Sequence, residues 1–139
     1  MKFNSKIGRF IDYPKKSSMK EYNKTTNDFV KYLSKNNDIA SIYSVGQISN
    51  IGISDLDFIV VLKNKLNNPK KCMQDIQKAI KVNTYLIMHY PLIITEKSFP
   101  NIKYLFPVFD IKKVWGKTIK INNPKNQKLL NTIILNDYI

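Results

Sequence analysis

The sequence predicts an α/β fold of the α+β kind, a small mixed β-sheet flanked by helices. Three observations carry that expectation. Apolar residues recur at helical spacing in segments that open on a cap signal. Short β-branched and aromatic runs of strand length lie between and after them. The two patterns alternate along 139 residues, enough for a single domain, 1–139, with its own core.

Residues 1–17 show little periodicity and include Pro14, which predicts an irregular lead-in. Ser18-Met19-Lys20-Glu21 has the form of a capping box, in which each side chain satisfies a free amide of the first helical turn. Tyr22, Thr26, Phe29, Val30 and Leu33 then mark one face of a helix over Met19–Lys35, ended by Asn36-Asn37. Ile39 to Val45 reads as a buried strand. Gly46 to Ser54 is a loop, after which Asp55-Leu56-Asp57 opens a second strand running through Phe58-Ile59-Val60-Val61-Leu62. Asn68-Pro69 places an N-cap before a proline at the first helical position, and Met73, Ile76, Ala79 and Ile80 give that helix its buried face. Thr84 to Thr95 is apolar and β-rich, predicting a third strand interrupted by Pro91. Phe99 to Phe106 fits a short helix, and Val108 to Val114 a strand or turn ending at Trp115-Gly116. Asn123-Pro124 opens a last helix, 124–139, with Leu129, Leu130, Ile133 and Ile134 on one side. It meets no stop signal, which suggests docking on the sheet, the start of a longer element, or a helical partner or oligomer.

Composition removes several classes. A single cysteine, Cys72, excludes an intramolecular disulfide and a cysteine-rich zinc site. No apolar run reaches the roughly 18–20 residues that cross a membrane, and the first residues lack the apolar core of a secretory signal. A cytoplasmic protein without a membrane partner is the expectation. The formal net charge is +13, yet only Arg9 of the 23 basic residues is arginine, and the lysines are scattered. Such a field attracts phosphates without choosing between a nucleotide and a nucleic acid.

The chemistry concentrates between Ile42 and Val61. A strand delivers the chain to Gly46, and a loop returns it to a strand that starts Asp55-Leu56-Asp57. Residues two apart on a strand share a face, so the carboxylates of Asp55 and Asp57 project side by side. Two adjacent anions call for a cation, and two hard carboxylates suit Mg²⁺, which completes its shell with substrate phosphates. Two such ions about 3.5–4 Å apart activate an attacking hydroxyl and stabilise a leaving pyrophosphate. A glycine at 46 lets a phosphate approach the backbone where a Cβ would obstruct it.

These residues resemble the DNA polymerase beta-type nucleotidyltransferase superfamily. Its hallmark is a hydrophobic residue, Gly, then Gly or Ser, followed after a spacer by Asp-hydrophobic-Asp/Glu-hydrophobic. Here Val45-Gly46-Gln47 stands for the first part and Asp55-Leu56-Asp57-Phe58 for the second, with the resemblance spanning residues 18–82. It implies Mg²⁺-dependent transfer of a nucleoside monophosphate from an NTP, such as ATP, to a hydroxyl acceptor. Asp55 and Asp57 would hold the metals, and Gly46, Gln47 and Ser49 the triphosphate. Gln47 departs from the pattern, and Ser49 or Asn50 is then the nearby donor that can replace the missing serine. The family's third carboxylate, a metal ligand that also orients the acceptor, falls on Asp110 or on its rival Glu96. With neither in place, the domain would be an inactive module binding nucleotide or RNA. The acceptor, whether RNA, a small molecule or a protein hydroxyl, leaves no signature.

Other conspicuous residues have plainer readings. His89, in Leu86-Ile87-Met88-His89-Tyr90, reads as a hydrogen-bonded structural histidine, and Cys72 as packing. Trp115 and the tyrosines read as core or rim aromatics, and Lys112-Lys113 as a solvated pair.

Overall fold

The computed structural model describes residues 15–105 and 110–123. The expected helix over 124–139, most of the lead-in, Phe106, and the first residues of the 108–114 segment lie outside the described residues.

Helix α1 spans Met19–Leu33, and the Ser18 hydroxyl accepts the Glu21 N–H at 3.3 Å, one half of the predicted capping box. Tyr22, Thr25, Phe29 and Leu33 are its buried residues, while Thr26 and Val30 sit half-buried at the margins of that face. Strand β1 is Ile39–Val45 and β2 is Asp57–Leu62. Helix α2, Pro69–Ala79, begins as its sequence dictates: Asn68 Oδ1 accepts the Lys71 N–H at 3.0 Å and Pro69 occupies the first turn. Its buried residues are Cys72, Ile76 and Ala79, not Met73, which is exposed. Positions 72, 76 and 79 follow the helical repeat from Ile76, and 73 points about 100° away from 72.

The expected third strand shrinks to β3, Leu92–Thr95. Asn83 accounts for the difference, because its Oδ1 accepts the N–H groups of both Tyr85 (3.2 Å) and Leu86 (3.1 Å) and folds the chain into a turn. Pro91, with no N–H, then keeps the chain out of the ladder until Leu92. Short 3₁₀ turns occupy Ile80–Val82 and Phe99–Tyr104, and β4 is Ile111–Gly116.

The sheet order is β3-β2-β1-β4, with β1 antiparallel to both β2 and β4, and β2 parallel to β3 across the α2 crossover. One face, carrying Ile42, Phe58, Val60 and Leu62, packs under α1 and α2, where the Phe29 ring stacks on Phe58 at 4.3 Å. The other face, carrying Tyr43, Ile59 and Val61, is covered by Phe99 and Ile102. Burial on both faces explains why β2 reads as an unbroken apolar run. Removing the Phe29 ring would cost about 3–5 kcal/mol, and its stacking partner Phe58 directly follows Asp57. Core packing therefore fixes the strand that carries the carboxylate.

Candidate active site

Three strand ends meet at one edge of the sheet. Val45 closes β1, with Asp57 opposite it on β2 and Ile111 opposite it on β4. Gly46 turns the chain there with φ +75°, and its N–H donates to the Asp110 carbonyl at 2.8 Å. A cleft of ≈ 360 Å³ opens beside this turn, lined by Asn23 of α1, by Gly46, Gln47, Asp55 and Asp57, and by Lys112 of β4. That volume suits a small ligand.

The two loop glycines do different work. A Cβ built on Gly46 would meet none of the described residues within 4 Å, so their packing does not demand glycine there. A Cβ on Gly52 would lie 2.8 Å from the Lys15 carbonyl oxygen. Gly52 is also held from both sides, its N–H donating to the Tyr22 hydroxyl at 3.0 Å and its carbonyl accepting from the Tyr85 hydroxyl at 2.6 Å. The Tyr22 hydroxyl in turn donates to the Ser54 carbonyl at 2.5 Å. The rear of the loop is thus braced, and the Gly46 end faces open space.

Asp55 lies in the loop, two residues before β2, and Asp57 is the first strand residue. Both line the cleft. Loss of hydration pushes the Asp57 carboxyl above its ordinary pKa, the Asp55 charge pushes it further, and His89 opposes them. His89 is not a core histidine. Its side chain is 69% exposed and its Nε2 stands 3.2 Å from Asp55 Oδ2. No local pattern in the sequence could have revealed this pair, since a backbone link brings the two segments together: the Leu56 N–H, between the two aspartates, donates to the Leu86 carbonyl at 2.6 Å.

Of the two candidates for a third carboxylate, Glu96 is at the wrong end of the sheet. Its N–H donates to the Leu62 carbonyl at the far end of β2 from Asp57, and its carboxylate pairs with Lys117 at 2.8 Å. Asp110 is at the right end, but its carboxylate accepts from the Gln47 side-chain amide at 2.5 Å and is not among the residues lining the cleft. Of the expected Asp55, Asp57 and Asp110 set, the first two line the cleft and Asp110 does not, and no group of three or more His, Cys, Asp or Glu placed to hold a metal occurs among the described residues. Ser49 also lies outside the cleft lining, its hydroxyl 3.5 Å from that of Ser54. Lys112, read as solvated, is exposed, and it also lines the cleft with no ion-pair partner among the described residues. Lys113 donates to the Thr118 hydroxyl.

Asp55 and Asp57 nevertheless fit Mg²⁺, which takes one or two protein carboxylates and fills its other positions with water and phosphate oxygens. The charge repulsion that Asp57 feels from Asp55 is what a cation would relieve. No helix among the described residues is long and apolar enough to cross a membrane. No family model matches this chain, and neither a curated protein nor a solved structure does.

Proposed function

We propose that the protein is a Mg²⁺-dependent nucleotidyltransferase that moves a nucleoside monophosphate from an NTP to a hydroxyl acceptor and releases pyrophosphate. One observation carries this reading: a single cleft unites two neighbouring carboxylates, a glycine turn with open space above it, and a lysine. Asp55 and Asp57 would hold the metal, which when bound neutralises the triphosphate and the departing pyrophosphate. Gly46 leaves room for a phosphate against the backbone, and Lys112 supplies a point charge for its oxygens. In the transfer, the acceptor oxygen bonds to the α-phosphorus while the bond to the α–β bridging oxygen breaks, and pyrophosphate leaves with that electron pair. Asp110 is the group beside Gly46 that would orient the hydroxyl and take its proton once Gln47 yields its carboxylate. The protein's contribution is positional and electrostatic.

The Gln47–Asp110 bond favours a second reading, a nucleotide- or RNA-binding module without turnover, because it occupies the carboxylate that turnover would use. Titration calorimetry of each NTP, with Mg²⁺ and then with EDTA, against wild type and the double variant Asp55→Asn/Asp57→Asn, tests the shared site. Metal-dependent binding that disappears in the double variant supports it. Binding indifferent to metal and to both aspartates refutes the transferase. Transfer of an α-labelled nucleotide to RNA, small-molecule or protein hydroxyls then separates enzyme from module.

A further inference from the structure

We infer that His89 is a positioning residue for this site, holding the Asp55 carboxylate for a divalent cation; this rests on the transferase reading above. The geometry points to a built arrangement. His89 is the chain's one histidine, and it stands against a cleft carboxylate rather than in the core. The backbone that carries it is anchored on both sides. Upstream, Leu86 and Ile87 are buried, the Ile87 N–H donates to the Asn83 carbonyl at 2.9 Å, and the Asn83 amide donates to the Thr25 hydroxyl of α1 at 3.0 Å. Downstream, Leu92 enters the ladder opposite Ile59, two residues beyond Asp57. The Leu56–Leu86 hydrogen bond ties this segment to the peptide between the two aspartates. The imidazole is more exposed than Asp55 (69% against 30%). A flexible carboxylate braced at one oxygen presents the other to a cation with less loss of freedom, the role that partners of metal-binding side chains generally play.

The test is calorimetric titration of Mg²⁺·ATP into wild type, His89→Ala, His89→Gln and the double aspartate variant, with melting temperatures recorded for each. His89→Ala is expected to weaken binding about 10- to 100-fold while melting with the wild type, because the side chain is largely exposed. His89→Gln, whose amide can reach Asp55 from the same position as a hydrogen-bond donor, is expected to recover most of the affinity. Unchanged or tighter binding in His89→Ala, with the aspartate dependence intact, overturns the inference alone. An equal loss in His89→Gln also overturns it, since it would make the imidazole itself the binding group. Wild-type binding that is absent, or indifferent to the aspartates, overturns the transferase reading and this inference with it.

Discussion

Replacing Gly46 by alanine separates what the fold needs from what a ligand needs. In the fold the substitution costs only the left-handed backbone, φ +75°, because an added Cβ meets none of the described residues within 4 Å. That penalty is about 1–2 kcal/mol. A domain of this size loses roughly 3–4 °C of melting temperature per kcal/mol, so Gly46→Ala should melt about 3–8 °C below wild type. Gly116 gives the contrast. It has φ +84°, and its Cβ would be driven into the Ala40 carbonyl oxygen and to 2.7 Å from Ser41 Cα, both backbone atoms of the central strand. Strain and clash together should cost at least about 3 kcal/mol, a fall of about 10 °C or more. Gly52→Ala, with the Lys15 carbonyl at 2.8 Å, should fall between them. Binding should reverse the order. Gly46→Ala fills the space where a phosphate would approach and should weaken Mg²⁺·ATP at least tenfold, about 1.4 kcal/mol. Differential scanning fluorimetry and calorimetry on the three variants read both scales. If Gly46→Ala melts as low as Gly116→Ala, the reasoning from open space is wrong. If it binds ATP like wild type, no phosphate packs against that turn.

Asp57→Asn should raise the melting temperature at pH 7, by an equivalent of under about 1 kcal/mol. A raised folded-state pKa means that ionisation is penalised in the fold; the penalty is absent below the ordinary carboxylate pKa and grows as pH rises through the folded value. The gain should therefore vanish in melts near pH 3, and a gain that persists there would show that charge is not its cause. Asp38 has the opposite sign. The backbone N–H groups of Asn67 (2.7 Å) and Asn68 (2.8 Å) hold its carboxyl below the usual range, so its stabilisation is present above the ordinary pKa and lost as pH falls through the lowered one. Acid unfolding of Asp38→Asn should start from a lower stability and be less steep than in wild type; parallel acid limbs would contradict this. Gln47→Ser removes the amide that engages Asp110 and supplies a hydroxyl in its place, so under the proposed function transfer of labelled nucleotide should increase. Unchanged or lower transfer would show that this bond does not restrain the site.

Elements fixed by neighbours in sequence were legible. Ser18 with Glu21 and Asn68 with Pro69 mark both helix starts through contacts spanning three residues, and β1 and β2 follow from short runs rich in β-branched and aromatic residues. The glycine turn and the paired aspartates were legible for the same reason, and they do share a cleft. Departures arise where a distant partner decides. The segment before Leu92 has strand composition but is folded by Asn83 and drawn to Leu56 by one hydrogen bond, which also brings His89 to Asp55. Lys112 reaches the cleft because β4 pairs with β1, and the hydrophobic setting of Asp110 gave no hint that Gln47 would engage its carboxylate. Cys72 displaced Met73 through the phase of a helix whose exposed face is also partly apolar.

The pairing of β4 with β1 has a consequence for how the protein is made. Ser44 Oγ bonds to the Lys112 carbonyl across 68 residues of chain, whereas β1 meets β2 through one loop. Long-range pairings close large loops and form slowly, and nascent chains acquire structure from the N-terminal side. During synthesis the β3-β2-β1 portion can collapse under its helices while the fourth position in the sheet is still empty. The glycine turn and both aspartates are then in place, but Lys112 and the bond from Gly46 to Asp110 are not. The cleft is therefore completed only after β4 has been made and has paired with β1.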